Sequence, residues 1–168
     1  MKVMHTKHGA GGGSHRGWVS AETLKNPLPE EVPQGQEAAA RVPILSTADV
    51  VAARKTCRLS AMEAGFSDAE VTSIVTAISE VARNIVEYAH SGEVLIKKTQ
   101  RGTRRGLKII AADNGPGIRD VRGIMEPGVF GNRGGCMGLS RAKWLMDTFD
   151  IVTKPGRGTT ITMVKWLD

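Results

Sequence analysis

The stretch at residues 78–89, ISEVARNIVEYA, decides how this chain folds. Its apolar residues recur at the 3.6-residue period of an α-helix, and the same pattern begins earlier, at Val71. The predicted apolar face comprises Val71, Ile74, Val75, Ile78, Val81, Ala82, Ile85 and Ala89. Glu80 and Asn84 are four residues apart, so they stack on one side of the helix, away from this face. They are either a solvated surface pair or part of a site, and the helix alone does not choose between these interpretations.

The composition is typical of one ordinary domain with an aliphatic core. The chain has 168 residues, of which 40% are hydrophobic and only 4% aromatic. Its net charge of +6 suits nucleic acid, an anionic membrane or an acidic protein, without choosing among them. No apolar run is long enough for a transmembrane helix, and the start lacks the apolar segment of a secretory signal. Cys57 and Cys136 fit no metal spacing or disulfide framework, which indicates a reducing, cytoplasmic setting.

The first 40 residues are predicted to be a flexible N-terminal tail, and residues 41–168 the folded domain. The segment 9–17 is Gly-rich and the segment 26–36 is Pro-rich, and neither has periodicity or enough apolar mass to fold. His5, His8 and His15 either bind a metal or belong to a flexible His/Gly run, and the second interpretation is the more common one.

The rest of the chain alternates helix and strand patterns. Capping boxes at Ser46/Asp49 and Ser67/Glu70 open the first two helices, and Gly65 ends the first. The predicted elements are a strand at 41–45, a helix to about 64, a long helix ending at 91–92, strands at 94–100 and 106–113, one or two helical turns at 120–126, a helix at 139–147, and strands at 149–153 and 159–166. The fold class is therefore α+β, a two-layer α/β sandwich in which helices cover one face of a mixed, mostly antiparallel sheet.

Three Gly-containing segments could carry chemistry. Asp113 is the last residue of a row of strand side chains that face one side of the sheet. Gly115 and Gly117 then allow the following backbone to approach a ligand closely. A carboxylate in this position suits a ligand that brings hydrogen-bond donors, such as an adenine amino group. The loop 131–140 offers backbone N–H groups just before a helix, the usual way to hold phosphates. The turn 156–160 offers a hydroxyl close to a ligand. Taken singly, each segment is equally explained as a turn or a loop.

The order and spacing of these signals together resemble the GHKL ATPase superfamily, the Bergerat fold. The N-box is Glu80-x-x-x-Asn84, the first Gly box is Asp113-x-Gly115-x-Gly117, the second is the segment 134–139, and Gly158-Thr159 closes the site. Within the superfamily the chain is similar to the anti-sigma-factor-type serine/threonine-protein kinases of bacterial partner switching, above all to the stressosome switch kinases of the RsbT type. The stretches AISEVARNIVEYA, GLKIIAADNGPGI and GRGTTITMVKW carry this likeness, which extends over residues 41–167.

The resemblance implies ATP bound through Mg²⁺ and transfer of its γ-phosphate to a serine or threonine of a STAS-domain partner. Glu80 would be the catalytic base and Asn84 the ligand of the metal. Nucleotide-binding residues would be Asn84, Asp113, Gly115, Gly117, Gly134, Gly135, Gly138, Leu139 and Thr159. The implied partners are STAS-domain proteins of a stressosome or anti-sigma antagonist type and a downstream phosphatase, with no nucleic acid and no membrane.

One position departs from the family pattern. The second Gly box usually alternates glycine with other residues, but here Cys136 stands where the middle glycine is expected. If that backbone needs a positive φ, a Cβ there costs on the order of 1–2 kcal/mol. We therefore expect weaker closure of the loop over the phosphates.

Two alternatives remain. In the first, the same fold sequesters or activates a regulator without phosphoryl transfer. In the second, the basic hairpin of Lys97, Lys98, Arg101, Arg104, Arg105 and Lys108 binds nucleic acid, although aromatic residues are not interleaved with it. A solvated edge or a docking surface for an acidic partner explains the hairpin better.

Overall fold

The computed structural model describes residues 39–125 and 137–167, together with the backbone of residues 2–7 and 17–19. The strands are β1 (Lys2–Lys7), β2 (Gly17–Val19), β3 (Ala40–Ile44), β4 (Gly92–Arg101), β5 (Arg104–Asp113), β6 (Thr148–Thr153) and β7 (Thr159–Trp166). The α-helices are α1 (Thr47–Ala64), α2 (Asp68–Asn84), α3 (Val121–Met125) and α4 (Met137–Leu145), and α2 continues as a π-helix over Ile85–Ala89.

All described strands form one sheet, in the order β2-β1-β6-β7-β5-β4-β3. Every pairing among them is antiparallel, so the sheet is not mixed within the described residues. β4 and β5 are joined by Gly102 and Thr103, and Gly102 has φ +61°, as the first position of a type II′ hairpin turn requires. The basic stretch 101–105 is therefore the hairpin that the sequence predicted.

The first two helices begin at the predicted capping residues, and the first ends at the predicted glycine. Asp49 Oδ2 accepts the N–H of Ser46 at 2.8 Å, and Glu70 Oε2 accepts the N–H of Ser67 at 2.8 Å. Each bond satisfies a backbone donor at the start of a helix that would otherwise lack a partner. Gly65 ends α1 with φ +95°, in the left-handed region that glycine adopts without a steric penalty.

The core lies between the sheet and one layer of helices. α2 buries the predicted apolar face from Val71 to Ile85, with only Ala89 left half-buried, and packs against α1, α4 and β5. Four strands, β4 to β7, each contribute one alternating buried row, and these rows are Val94 and Ile96; Leu107, Ile109 and Ala111; Phe149 and Ile151; Ile161 and Met163. Burying one such aliphatic side chain contributes roughly 1.5–3 kcal/mol. The two-layer α+β architecture is thus confirmed.

Cys57 belongs to this core. Its side chain is buried in α1, and burial raises the pKa of the thiol to about 12. The thiol is therefore a small apolar packing group rather than a nucleophile.

The structure differs at three places from the prediction that residues 1–40 form a flexible tail. β1 pairs with β6 from Lys2↔Thr153 to Lys7↔Thr148, β2 pairs with β1, and Ala40 already belongs to β3. Strand addition to the edge of β6 uses backbone hydrogen bonds, which need neither apolar mass nor periodicity, so composition gave no sign of it. The other residues of the tail, including His8 and His15, lie outside the described residues.

Two helix ends also differ from the prediction. α4 spans 137–145 rather than 139–147, and the end of the long helix is a π-helix rather than an α-helix. No helix within the described ranges combines the length and the apolar character needed to cross a membrane.

Candidate functional site

A cavity of about 240 Å³ opens between the end of α2, the π-helix, the sheet and the loop after β5. Its lining is mainly apolar, with a few polar groups. It is lined by Val81, Asn84, Ile85, Tyr88, Ala89, Ala111, Asp113, Pro116, Gly117, Ile118, Arg119, Leu139, Thr159 and Ile161. An apolar cleft with a small number of placed polar groups is the usual form of a small-molecule site.

The helix that carries Asn84 changes type at this residue. α2 ends at Asn84, and the next five residues, Ile85–Ala89, form a π-helix whose C-cap, His90, has φ +64°. A π-turn widens the helix and is found often at functional sites. Asn84, Ile85, Tyr88 and Ala89 all line the cavity. Among the described residues, the side-chain amide of Asn84 has no hydrogen-bond partner, so its oxygen is available to a ligand.

Asp113 lines the cavity from the end of β5. Its Oδ1 accepts the N–H of Gly115 at 2.9 Å and the N–H of Thr159 at 3.2 Å. Burial raises the pKa of this carboxyl, and the two backbone hydrogen bonds offset part of that effect. Both bonds use Oδ1, and within the described residues no donor reaches Oδ2. The carboxylate is thus fixed in orientation and keeps one oxygen for a ligand.

The loop after Asp113 requires glycine at two positions. A Cβ on Gly115 would lie 2.6 Å from the Cβ of Ala89, so only glycine lets the loop approach the π-helix. Gly117 has φ +72°, and a Cβ there would overlap the carbonyl oxygen of Lys154. These glycines bring the backbone of the loop to the cavity wall, where Pro116, Gly117 and Ile118 line it.

Thr159 joins this loop to the sheet. Its N–H donates to Asp113, while its hydroxyl lies 3.0 Å from that of Thr153. Thr153 Oγ1 also accepts the N–H of Ile118 at 2.9 Å and lies 3.1 Å from the carbonyl oxygen of Gly158. The hydroxyl of Thr159 is therefore engaged with Thr153, while its backbone N–H helps to position Asp113.

Glu80 lies one turn before Asn84 but does not line the cavity. Its side chain is only 13% exposed and lies beneath the start of α4, with Oε1 3.1 Å from Arg141 Nη1 and Oε2 3.6 Å from Arg83 Nη1. A Cβ on Gly138 would lie 2.7 Å from Glu80 Oε2. Leu139, the next residue, is buried and forms part of the cavity wall. The interpretation of Glu80 and Asn84 as a solvated surface pair does not fit this environment.

The structure brings most of the predicted site residues together. Asn84, Asp113, Gly117, Leu139 and Thr159 line one cavity, and Gly115 and Gly138 adjoin it. Gly134, Gly135 and Cys136 lie outside the described residues, so their roles remain predictions.

Sequence reasoning missed Thr153 and the apolar walls of the cavity. Thr153 is 3% exposed and occupies the inward row of β6 after Phe149 and Ile151, opposite Thr159. A threonine at the end of an inward apolar row was the available signal, because a buried hydroxyl needs hydrogen-bond partners. Ile85, Ala111, Ile118 and Ile161 were read only as core or turn residues.

This arrangement suits a flat heterocycle that carries an amino group. The apolar walls would enclose the ring, and Asp113 Oδ2 would accept its N–H donor. At the open side, Asn84 offers a neutral oxygen, the kind of ligand that Mg²⁺ takes in proteins. Glu80, next to Asn84, is a carboxylate near the point where a phosphate chain would leave the cavity.

Comparison with known proteins agrees with this geometry. The family model described as "Histidine kinase-like ATPase domain" matches residues 45–165. The serine/threonine-protein kinase RsbT of Bacillus subtilis is 45% identical over 126 residues, covering 75% of this chain and 95% of that protein. An anti-sigma F factor of a Thermoanaerobacter species is 30% identical over 105 residues, covering 58% of this chain and 71% of that protein.

Solved structures also share the fold. The RsbU and RsbW domains of a Mycobacterium tuberculosis protein superpose with a TM-score of 0.53 at 19% identity, covering 79% of this chain and 34% of that longer chain. At this identity the likeness concerns the fold alone.

Proposed function

This chain belongs to the histidine kinase-like ATPase family, and from that membership and its relation to RsbT we propose that it phosphorylates a STAS-domain protein on serine or threonine at the expense of ATP. The enzyme class, a serine/threonine-protein kinase of a bacterial partner-switching pathway, follows from the 45% identity that extends over nearly all of RsbT.

One observation carries the proposal of a nucleotide site. Asp113 Oδ1 is held by the N–H groups of Gly115 and Thr159, and the carboxylate lines an apolar cavity that Asn84 also lines. Burying half of a carboxylate costs free energy unless its oxygens receive hydrogen bonds in return. A ligand amino group that donates to Oδ2 supplies such a bond, and the adenine of ATP carries one.

Asn84 would hold Mg²⁺ through its amide oxygen. The residue fits this task because it lines the cavity and its side chain is not engaged by the described residues. Bound Mg²⁺ would neutralise charge on the phosphates and align them for transfer. The loop with Gly134 and Gly135, together with Gly138 at the start of α4, would contact the phosphates.

Glu80 would accept the proton of the substrate hydroxyl. It lies one helical turn from Asn84, on the side where the phosphates would leave the cavity, and Arg141 fixes its carboxylate. A positioned carboxylate beside the transferring group is the usual base for a hydroxyl nucleophile.

The partners would be STAS-domain proteins of a stressosome or anti-sigma antagonist type, with a phosphatase downstream, and the setting would be cytoplasmic. The relatives support this, because they are a serine/threonine-protein kinase, RsbT, and anti-sigma F factors.

The test is transfer of label from γ-³²P-ATP to a STAS-domain protein of the same organism, with and without Mg²⁺. Co-purification from the native host followed by phosphosite mapping identifies that protein. Label on a serine or threonine that depends on Mg²⁺ supports the proposal. A partner that binds tightly but never acquires label would instead favour a protein that acts by sequestration, an alternative that the comparisons do not favour.

A further inference from the structure

The cavity proposed to bind nucleotide has a second charged residue in its wall, to which no role has been given. Among the described residues that line it, two are charged, Asp113 and Arg119. Burial raises the pKa of Asp113 and two backbone hydrogen bonds lower it, while Arg119 has no part in the shift, so the two charges are not paired. The adjacent carboxylate, Asp120, instead accepts the N–H of Gly123 at 2.9 Å. Arg119 is exposed and makes no ion pair or side-chain hydrogen bond with the described residues, so its N–H donors are available to a ligand.

The backbone on both sides of Arg119 is fixed. Ile118, the residue before it, donates its N–H to Thr153 Oγ1 at 2.9 Å. Val121, two residues after it, is buried where α3 begins. Exposure alone would indicate a solvated side chain at an arbitrary point of a loop. Because both neighbours are anchored in the fold, the main chain of Arg119 is instead held at the wall of the cavity.

The two charges of the cavity suit opposite ends of one ligand. The carboxylate of Asp113 is an acceptor for the amino group of a heterocycle, and adenine carries such a group. The negative charge of ATP lies on its phosphate chain, and a guanidinium presents parallel N–H donors that match two oxygens of a phosphate. An acceptor and a cation in the wall of one cavity therefore favour a ligand that has an amino group and an anionic group, which a nucleotide combines and a nucleoside does not.

From these observations we propose that Arg119 binds a phosphate group of the nucleotide and so makes the cavity select nucleotides over nucleosides. The inference rests on the proposed nucleotide site and deepens it, by naming a residue that determines specificity. Arg119 contacts the phosphate chain and not the base, so its removal changes the affinity for phosphorylated ligands alone.

Calorimetry with a ligand series tests the role of Arg119. The intact chain is titrated with adenosine, AMP, ADP and ATP in the presence of EDTA, so that no metal contributes to the binding of phosphate. We expect Arg119→Gln to keep the affinity for adenosine within about twofold and to weaken phosphorylated ligands by about tenfold, the size expected for a hydrogen bond between charged groups. The first affected member of the series identifies the phosphate that Arg119 contacts. Arg119→Lys keeps the charge without the paired donors and should lose less affinity.

The matched control is Arg157→Gln. It removes the same charge from an exposed position on the neighbouring turn, where Gly156 donates its N–H to the carbonyl oxygen of Pro116 at 2.8 Å. Arg157 is not among the described residues that line the cavity, so this change should leave the whole series unaltered. An equal loss in Arg157→Gln would reveal a general effect of charge and would overturn the proposal.

The series also separates this inference from the nucleotide site on which it rests. Losses of equal size for adenosine and for ATP in Arg119→Gln would overturn the proposal in favour of stacking of the guanidinium on the base. Adenosine and ATP affinities that both stay unchanged in this variant would overturn the role of Arg119 and leave the nucleotide site intact. A wild-type protein that binds neither adenosine nor ATP would overturn the nucleotide site itself, and the role of Arg119 with it.

Discussion

Arg141 on α4 holds Glu80 on α2, with 3.1 Å between Arg141 Nη1 and Glu80 Oε1. Glu80 is 13% exposed in its side chain and Arg141 is 58% exposed, so solvent screens the pair and its worth to stability is at most about 1 kcal/mol. Its consequence is mainly geometric. The helix that follows the predicted phosphate loop also sets the position of the proposed base, so movement of α4 changes the position of Glu80.

Glu80→Gln should remove the base without removing the nucleotide. We expect phosphorylation of the partner to fall by roughly 10²–10⁴, the usual worth of a general base, while ATP affinity stays unchanged. Single-turnover label transfer and calorimetry measure the two effects. The matched control is Glu93→Gln, which also removes a carboxylate from an ion pair, that with Arg41, but lies away from the cavity. Parallel losses of ATP affinity and transfer in Glu80→Gln would mean that Glu80 is structural.

Asp113→Asn should abolish nucleotide binding, because it replaces a hydrogen-bond acceptor by a donor at the position of Oδ2. The N–H groups of Gly115 and Thr159 require an acceptor, so the amide oxygen of asparagine takes the place of Oδ1 and its NH₂ group faces the amino group of the ligand. Two donors then oppose each other. The melting temperature of the wild type should rise with Mg·ATP, and this rise should vanish in the variant.

The same variant should not lose stability without ligand. The pKa of Asp113 is raised in the folded state by burial, so its charged form is unfavourable there, and neutral asparagine removes that cost at pH 7. We expect a melting temperature at or above that of the wild type. Asp120→Asn, at an exposed carboxylate, serves as control and should keep the ATP-induced rise. A ligand-free Asp113→Asn protein that melts well below wild type would show that the carboxylate has a structural task.

On acidification, adenosine binding should begin to weaken at a pH above the ordinary pKa of aspartate. Since the pKa of Asp113 is raised, the folded protein takes up this proton before the unfolded chain does. Its contribution to stability therefore grows as pH falls through the folded pKa, whereas its capacity as an acceptor is lost in the same range. Adenosine is the appropriate probe because it has no phosphate to titrate. Affinity that stays constant down to the pKa of a free aspartate would contradict this role for Asp113.

The effect of Gly138→Ala on the free energy of unfolding should depend on whether the Glu80 side chain is present. In a helix, alanine is favoured over glycine by roughly 0.5–1 kcal/mol, but here the new Cβ would lie 2.7 Å from Glu80 Oε2. In a Glu80→Ala background the carboxylate no longer blocks the new Cβ, so the helix should gain the usual stability of alanine over glycine. We expect the substitution to be more favourable by at least about 0.5 kcal/mol in that background, measured as a double-mutant cycle in denaturant unfolding. Additive effects of the two substitutions would mean that the Glu80 side chain does not stay next to position 138 in the protein in solution.

Much of the fold could be predicted because its signals are local. The capping boxes at Ser46 and Ser67, the left-handed Gly65 and the apolar face of α2 depend on residues three or four apart, and the hairpin turn depends on Gly102. The structure places Asn84 and Asp113 on one cavity, each where a regular element ends, but periodicity located only the end of β5 at Asp113. Their role in nucleotide binding remains a prediction.

What only the tertiary structure decided are the contacts between elements distant in sequence. The sequence by itself determined that Thr153 lies on an inward strand row, but not that its hydroxyl would join Ile118, Gly158 and Thr159. It determined the spacing of Glu80 and Asn84, but not that α4 would cover Glu80 with Arg141, nor that β1 would extend the sheet at β6. Periodicity reports which face of an element is buried, whereas the partner across that face depends on how distant elements pack, and no local pattern encodes that choice.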